Sequence, residues 1–173
     1  MKLIAQLKLL PTPEQADVLK RTLEQANAAC NQISRVAWDL QTFGKFALQK
    51  LTYARIRTDY SLTAQMVIRC LAKVADAYKL DRKVQRSFKP LGSIAYDDRI
   101  LSWNLKAPSV SIWTLDGRQS IPFVCGERQW ALLQSRHGET DMASVNGQFY
   151  LLAVCDVETP EPIDVEGTLG VIH

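Results

Sequence analysis

The chain has 173 residues, 47% of them apolar, and a net charge of +3. That is enough apolar material for one domain, or two small ones sharing a core, and it excludes a disordered chain. No run approaches the roughly 18 apolar residues of a membrane helix, and the opening "MKLIAQLKLLPTPEQ" lacks the small-residue cleavage site of a secretory signal, so the cytoplasm is the expected compartment.

From Leu3 to Leu9 apolar and polar residues alternate, which predicts a half-buried strand. Pro11 and Pro13 end it, with Thr12 as N-cap and Pro13 at the first helical position. Apolar residues then recur every three or four positions from Val18 to Leu40, predicting a long amphipathic helix that breaks at Gly44. A shorter helix is expected over 52–59. The stretch "SLTAQMVIRCLAKVADAYKLDRKVQRSF" predicts a second long helix, capped by Ser61 or Thr63 and closed by Pro90 and Gly92.

Beyond Pro90 the pattern turns to β. "RILSWNL", "SVSIWTL", "RQSIPFV" and "GQFYLLAVCDVE" read as short strands, with "GERQWALLQSR" as a short helix among them. Asp116-Gly117 and Asn146-Gly147 are expected to be type I′ hairpin turns, with positive φ at both residues. His137 falls in "SRHGET", read as a solvated loop, and "ETPEPIDVEG" reads as an acidic linker. The first strand has no local partner, so it is expected to join the later ones. The fold class is therefore α+β: an antiparallel β-barrel or sheet from residues 1–12 and 90–158, a helical bundle inserted at 13–89, and a separate segment at 159–173.

The cysteines Cys30, Cys70, Cys125 and Cys155 are too far apart for a zinc knuckle and read as free thiols. No Gly-rich phosphate loop, HExxH or GxSxG motif is present, and Asp97-Asp98 reads as a solvated turn rather than a paired acid and base. No catalytic residue and no metal ligand is assigned.

Charge is more informative. Residues 13–89 carry 14 Lys and Arg against 7 Asp and Glu, whereas residues 90–173 carry 5 against 11. At helical spacing Val67, Leu71, Val74 and Tyr78 share one face, and Arg69, Lys73, Lys79, Lys83 and Arg86 share the opposite one, with Lys89 beyond. Several cations in a line are what phosphate binding requires, each releasing a counterion from a polyanion. A solvated helix face is the alternative.

Four stretches together resemble the N-terminal half of TnpB/OrfB-type transposon proteins, relatives of the type V CRISPR effectors. "MKLIAQLKLLPTPEQADVLKRTLEQANAACNQIS" is similar to the family's opening strand and first helix, and "KLTYARIRTDYSLTAQMVIRCLAKVADAYK" to its Gln-containing helix. "ILSWNLKAPSVSIWTLDGRQSIPF" resembles its return into the barrel, and "FYLLAVCDVETPEPIDVEGTLGV" the segment before its nuclease domain. The resemblance implies a wedge-like β-barrel with an inserted recognition bundle that holds guide RNA and double-stranded, target-flanking DNA. It places Tyr53, Gln65 and Asn104 beside that duplex, with Arg57 one helical turn from Tyr53.

In the family a "GxxGVDxG" strand opens a RuvC-like domain, and its Asp begins a magnesium site; a zinc finger lies further on. The matching position here is Ile172, so 159–173 is expected to be a linker and a truncated first strand, and both metals lie outside this chain. The reading is then a nuclease-deficient, transposase-associated module that binds DNA and RNA without a cofactor of its own and without a membrane. Its rivals are a split half active only with a separate RuvC-containing chain, and a decayed transposon product.

Overall fold

A computed structural model describes residues 1–158, and the expectations for 159–173 lie outside it. The N-terminal alternation forms strand β1 (Lys2–Leu9), with Ala5, Leu7 and Leu9 buried and Ile4 and Gln6 turned outward. Thr12 then caps helix α1 (Pro13–Leu40) through a reciprocal capping box: its hydroxyl accepts from Gln15 N at 3.1 Å, and Gln15 Oε1 accepts from Thr12 N at 3.0 Å. The helix ends at Gln41, which is left-handed (φ 48°). Gly44 starts α2 (Lys45–Tyr60) rather than merely breaking α1. The expected 52–59 helix is thus longer by two turns at its N-terminal end.

Helix α3 (Ala64–Leu80) begins at the expected cap, Thr63, and buries Val67, Leu71, Val74 and Tyr78 as their spacing requires. It stops at Leu80, well short of Pro90. Asp81 turns extended (φ −158°), and its carboxylate accepts from Lys83 N at 2.8 Å, so the chain leaves the helix through an Asx turn.

The rest is β2 (Ile94–Tyr96), β3 (Leu101–Asn104), β4 (Ser109–Thr114), β5 (Gly117–Val124), α4 (Glu127–Leu133), β6 (Arg136–Val145) and β7 (Gln148–Asp156). All pairings are antiparallel, in the order β2-β6-β7-β1-β5-β4-β3. The first strand joins the later ones, as its lone alternation demands: Lys2 to Lys8 pair with Asp156 to Tyr150, and Lys8 and Leu9 pair with Val124 and Phe123. The two edge strands, β2 and β3, are joined by a tight turn in which Ile100 N and Leu101 N donate to Asp97 O at 3.1 and 3.0 Å. The sheet therefore curls into a nearly closed barrel. Where β1 parts from β5, α4 fills the gap, and Gln129 Oε1 accepts from Gln6 N at 2.6 Å.

Two details differ from the sequence reading. Residues 136–140, expected as a loop, belong to β6; a register shift between Arg136 and Thr140, with Gly138 at φ +91°, breaks the alternation that would have marked the strand. Asn146 (φ 52°) and Gly147 (φ 78°) both take positive φ, as a type I′ turn needs, but at the other hairpin only Gly117 (φ 91°) does. There Thr114 Oγ1 accepts from Asp116 N at 3.2 Å and donates to Gly117 O at 2.6 Å, holding a different turn. Helices and barrel share one continuous core, from Leu23, Ile33 and Met66 to Ile112, Met142 and Leu151.

Candidate nucleic-acid interface

Between α3 and β2 the chain runs as an irregular strap, residues 81–93, along one side of α1. Its backbone polar groups need partners, and α1 supplies them from Asn27, Asn31 and Ser34, spaced four and three residues apart on one face. Asn27 is fully buried; its Nδ2 donates to Pro90 O at 3.1 Å and Gly92 O at 2.9 Å. Asn31 takes Phe88 by both ends, Nδ2 donating to its carbonyl at 3.0 Å and Oδ1 accepting from its N–H at 2.7 Å. Ser34 Oγ donates to Arg86 O, and Tyr78 Oη accepts from Arg86 N at 3.1 Å. The α1 partners lie 52–65 residues from the strap in sequence, and they hold residues 86–92 along α1 once Asp81 has ended α3.

A backbone fixed this way holds its side chains outward. Arg82, Lys83 and Lys89 are exposed and Arg86 is half-exposed. None of the four is in an ion pair among the described residues. Arg82 stacks over the Phe43 ring at 5.5 Å, which carries the basic line to the α1–α2 corner. Lys79, still on α3, is exposed and reaches Asp76 at 3.6 Å.

Arg69 and Lys73 do not belong to this surface, contrary to the helical stripe. Arg69 is tied to Glu139 of β6, with a side chain only 14% exposed and its Nε without a partner. Lys73 Nζ donates to Asn27 Oδ1 at 2.7 Å and to Ser93 O at 2.8 Å, and lies 5.2 Å from the Phe88 ring centre. Burial pushes the Lys73 ammonium below its ordinary range. The two cations line a cleft of about 240 Å³ with Glu139 and Asp141. Burial first, and Glu139 second, push the Asp141 carboxyl upward, against the pull of Arg69 and Lys73.

The remaining sequence candidates are dispersed. Tyr53 and Arg57 lie on α2, Tyr53 half-buried with its ring against the core and Arg57 exposed. Gln65 is occupied at both ends, donating to Asp97 and accepting from Arg99 Nη1 at 2.9 Å. Asn104 Oδ1 accepts from Lys106 N and Ala107 N at 3.1 and 3.2 Å, the bonding of a turn at a strand end. Neither amide oxygen is free for a base edge in this arrangement. The residues the sequence reading missed are Asn27, Asn31 and Ser34. Their signal was available: three polar residues on one line beside the apolar face of an amphipathic helix, of types that helix interiors disfavour. Among the described residues no three His, Cys, Asp or Glu side chains gather as a metal site, and no helix is long and apolar enough to cross a membrane. No family model matches the chain and no curated protein matches it, so the geometry of these residues is what a functional reading has to rest on.

Proposed function

We propose that the chain is a nucleic-acid-binding module of TnpB/OrfB-like architecture, holding guide RNA and target-flanking duplex DNA against its helical bundle. The observation that carries the reading is the strap: Arg82, Lys83, Arg86 and Lys89, without ion-pair partners among the described residues, on a backbone pinned by α1. Loop ordering normally subtracts from binding free energy, and here much of that ordering is already complete in the fold. The order of strand, three helices and curled antiparallel sheet supports the resemblance in the same sense. No catalytic role is assigned to any residue.

The test is a salt titration of RNA and duplex DNA binding by the wild type and by a variant with all four strap cations changed to Gln. Each neutralised phosphate contributes about 0.7 to 0.9 to the slope of log K on log salt, so the slope should fall by roughly three and affinity should drop for all sequences alike. An unchanged slope would leave the strap a solvated surface and favour the decayed-product reading.

A further inference from the structure

Helix α2 has an unexplained face. Its buried residues, Leu48, Thr52 and Ile56, form a line one side chain wide. About 130° round the helix, Phe46, Lys50, Tyr53 and Arg57 follow at intervals of four, three and four, within about 40° of a common line. Phe46 is 78% exposed, Lys50 and Arg57 are exposed too, and Tyr53 is half-buried, packed against the core but still lining the groove. Phe46, Lys50 and Tyr53, with Gln49 and Ala54, line a shallow groove of about 440 Å³. The one acid of α2, Asp59, is engaged by Arg55 at 3.3 Å, and neither Lys50 nor Arg57 is in an ion pair among the described residues.

The alternation of ring and cation selects the occupant. An apolar protein surface would cover Phe46 but strip water from two cations and give them nothing in return. A phosphate rail alone would use Lys50 and Arg57 but leave a large aromatic side chain in water. A ligand with flat apolar faces and regularly spaced anions satisfies both. Duplex DNA has the anions, but its base faces are covered by neighbours about 3.4 Å away. The two rings are seven residues apart, about 10.5 Å along the helix axis, too far for bases that follow one another in a stack. We infer that the α2 stripe takes a single-stranded, unstacked segment of nucleic acid, with bases on Phe46 and Tyr53 and phosphates on Lys50 and Arg57. The inference rests on the nucleic-acid reading of the strap, and it puts a single strand at Tyr53 and Arg57, where the resemblance implies duplex.

The test uses the full chain and a single strand of about twelve nucleotides, as RNA and as DNA, carrying 2-aminopurine, whose fluorescence changes on stacking. The same sequence as a duplex, and inorganic polyphosphate, are the controls. Phe46→Ala is expected to weaken single-strand binding about tenfold and to remove the fluorescence change. It should leave duplex and polyphosphate binding as they were. Phe46→Trp should keep the change, and Phe46→Leu, apolar but not flat, should lose it. Because Phe46 is so exposed, none of these substitutions threatens the fold. If Phe46→Ala leaves single-strand binding intact while the strap variant weakens it, the stripe is refuted and the strap reading stands. Equal losses on single strand and duplex, or full function in Phe46→Leu, would also overturn the inference. No binding of any polyanion would refute both readings.

Discussion

Two sets of basic residues from the same stretch of chain meet opposite fates. Arg69 and Lys73 face the seam between α3 and β6, where Glu139 and Asp141 and the polar atoms of Asn27 and Ser93 absorb them. Arg82, Lys83, Arg86 and Lys89 lie nine to sixteen residues after Lys73, on the strap, and their side chains form no ion pair among the described residues. In the seam, charge is a structural cement between bundle and barrel; on the strap it is on offer to a partner. The number of cations in a segment therefore says little about binding. What matters is whether the acidic half of the chain folds back over them.

The sharpest way to break this contrast is at Asn27, the residue that serves both sides. Its amide holds the strap carbonyls of Pro90 and Gly92, and its oxygen accepts from Lys73. Asn27→Leu keeps the volume but orphans several buried groups at a cost of about 3 kcal/mol or more. Thermal unfolding should then show a midpoint lower by about 6–12 °C. A shift of only a degree or two would mean the strap is held by something else.

The contrast is sharpened by exchanging where the charge is removed. Arg69→Gln with Lys73→Met should destabilise the fold by about 1–3 kcal/mol in a denaturant titration while leaving the salt slope of nucleic-acid binding unchanged. The fourfold Gln strap variant should do the reverse: stability within about 0.5 kcal/mol of wild type and the slope reduced. If the seam variant flattened the slope as well, the division between cement and contact would fail.

The smallest expected effect is a pH dependence. Asp141 lies among Arg69 and Lys73 of α3 and Glu139 of its own strand, and burial raises its pKa. A raised pKa means the folded protein holds the proton more tightly than the unfolded chain. The stability this contributes is full below the ordinary carboxylate range and is lost as pH rises through the raised value. Asp141→Asn should flatten the fall in stability across that window, read from denaturation midpoints at a series of mildly acidic pH values. An identical pH profile would show that the carboxyl titrates normally.

What could be read in advance followed from local chemistry. β1 and the capped start of α1 are visible because alternation, Thr12 and Pro13 act within a few residues of themselves. The antiparallel sheet was legible from its unpaired first strand and its turn dipeptides, and its curl into a barrel from the resemblance. The end of α3 was not: Asp81 turns extended there, and the strap that follows is held by Asn27, Asn31 and Ser34 of α1, which no window around Leu80 contains. β6 hid behind Gly138 and its register shift. The site shows the same division. The cations of residues 69–89 stand out as a group, but Glu139, which takes Arg69 from the surface, lies 70 residues further on, and Asn27, which takes Lys73, lies 46 residues before it.

The pairing of Lys2 with Asp156 joins the two ends of the described chain in the middle of the sheet. Its consequence is temporal. As the polypeptide leaves the ribosome, α1, α2 and α3 meet one another within a few dozen residues and can settle early. β1, made first, cannot complete its long ladder until β7 has been made. During that wait its row of Ala5, Leu7 and Leu9 lacks its ladder partner and is open to the same strand of a neighbouring nascent chain. Antiparallel pairing of two such strands would set Lys2 of one near Lys8 of the other, and like charges placed opposite each other disfavour it.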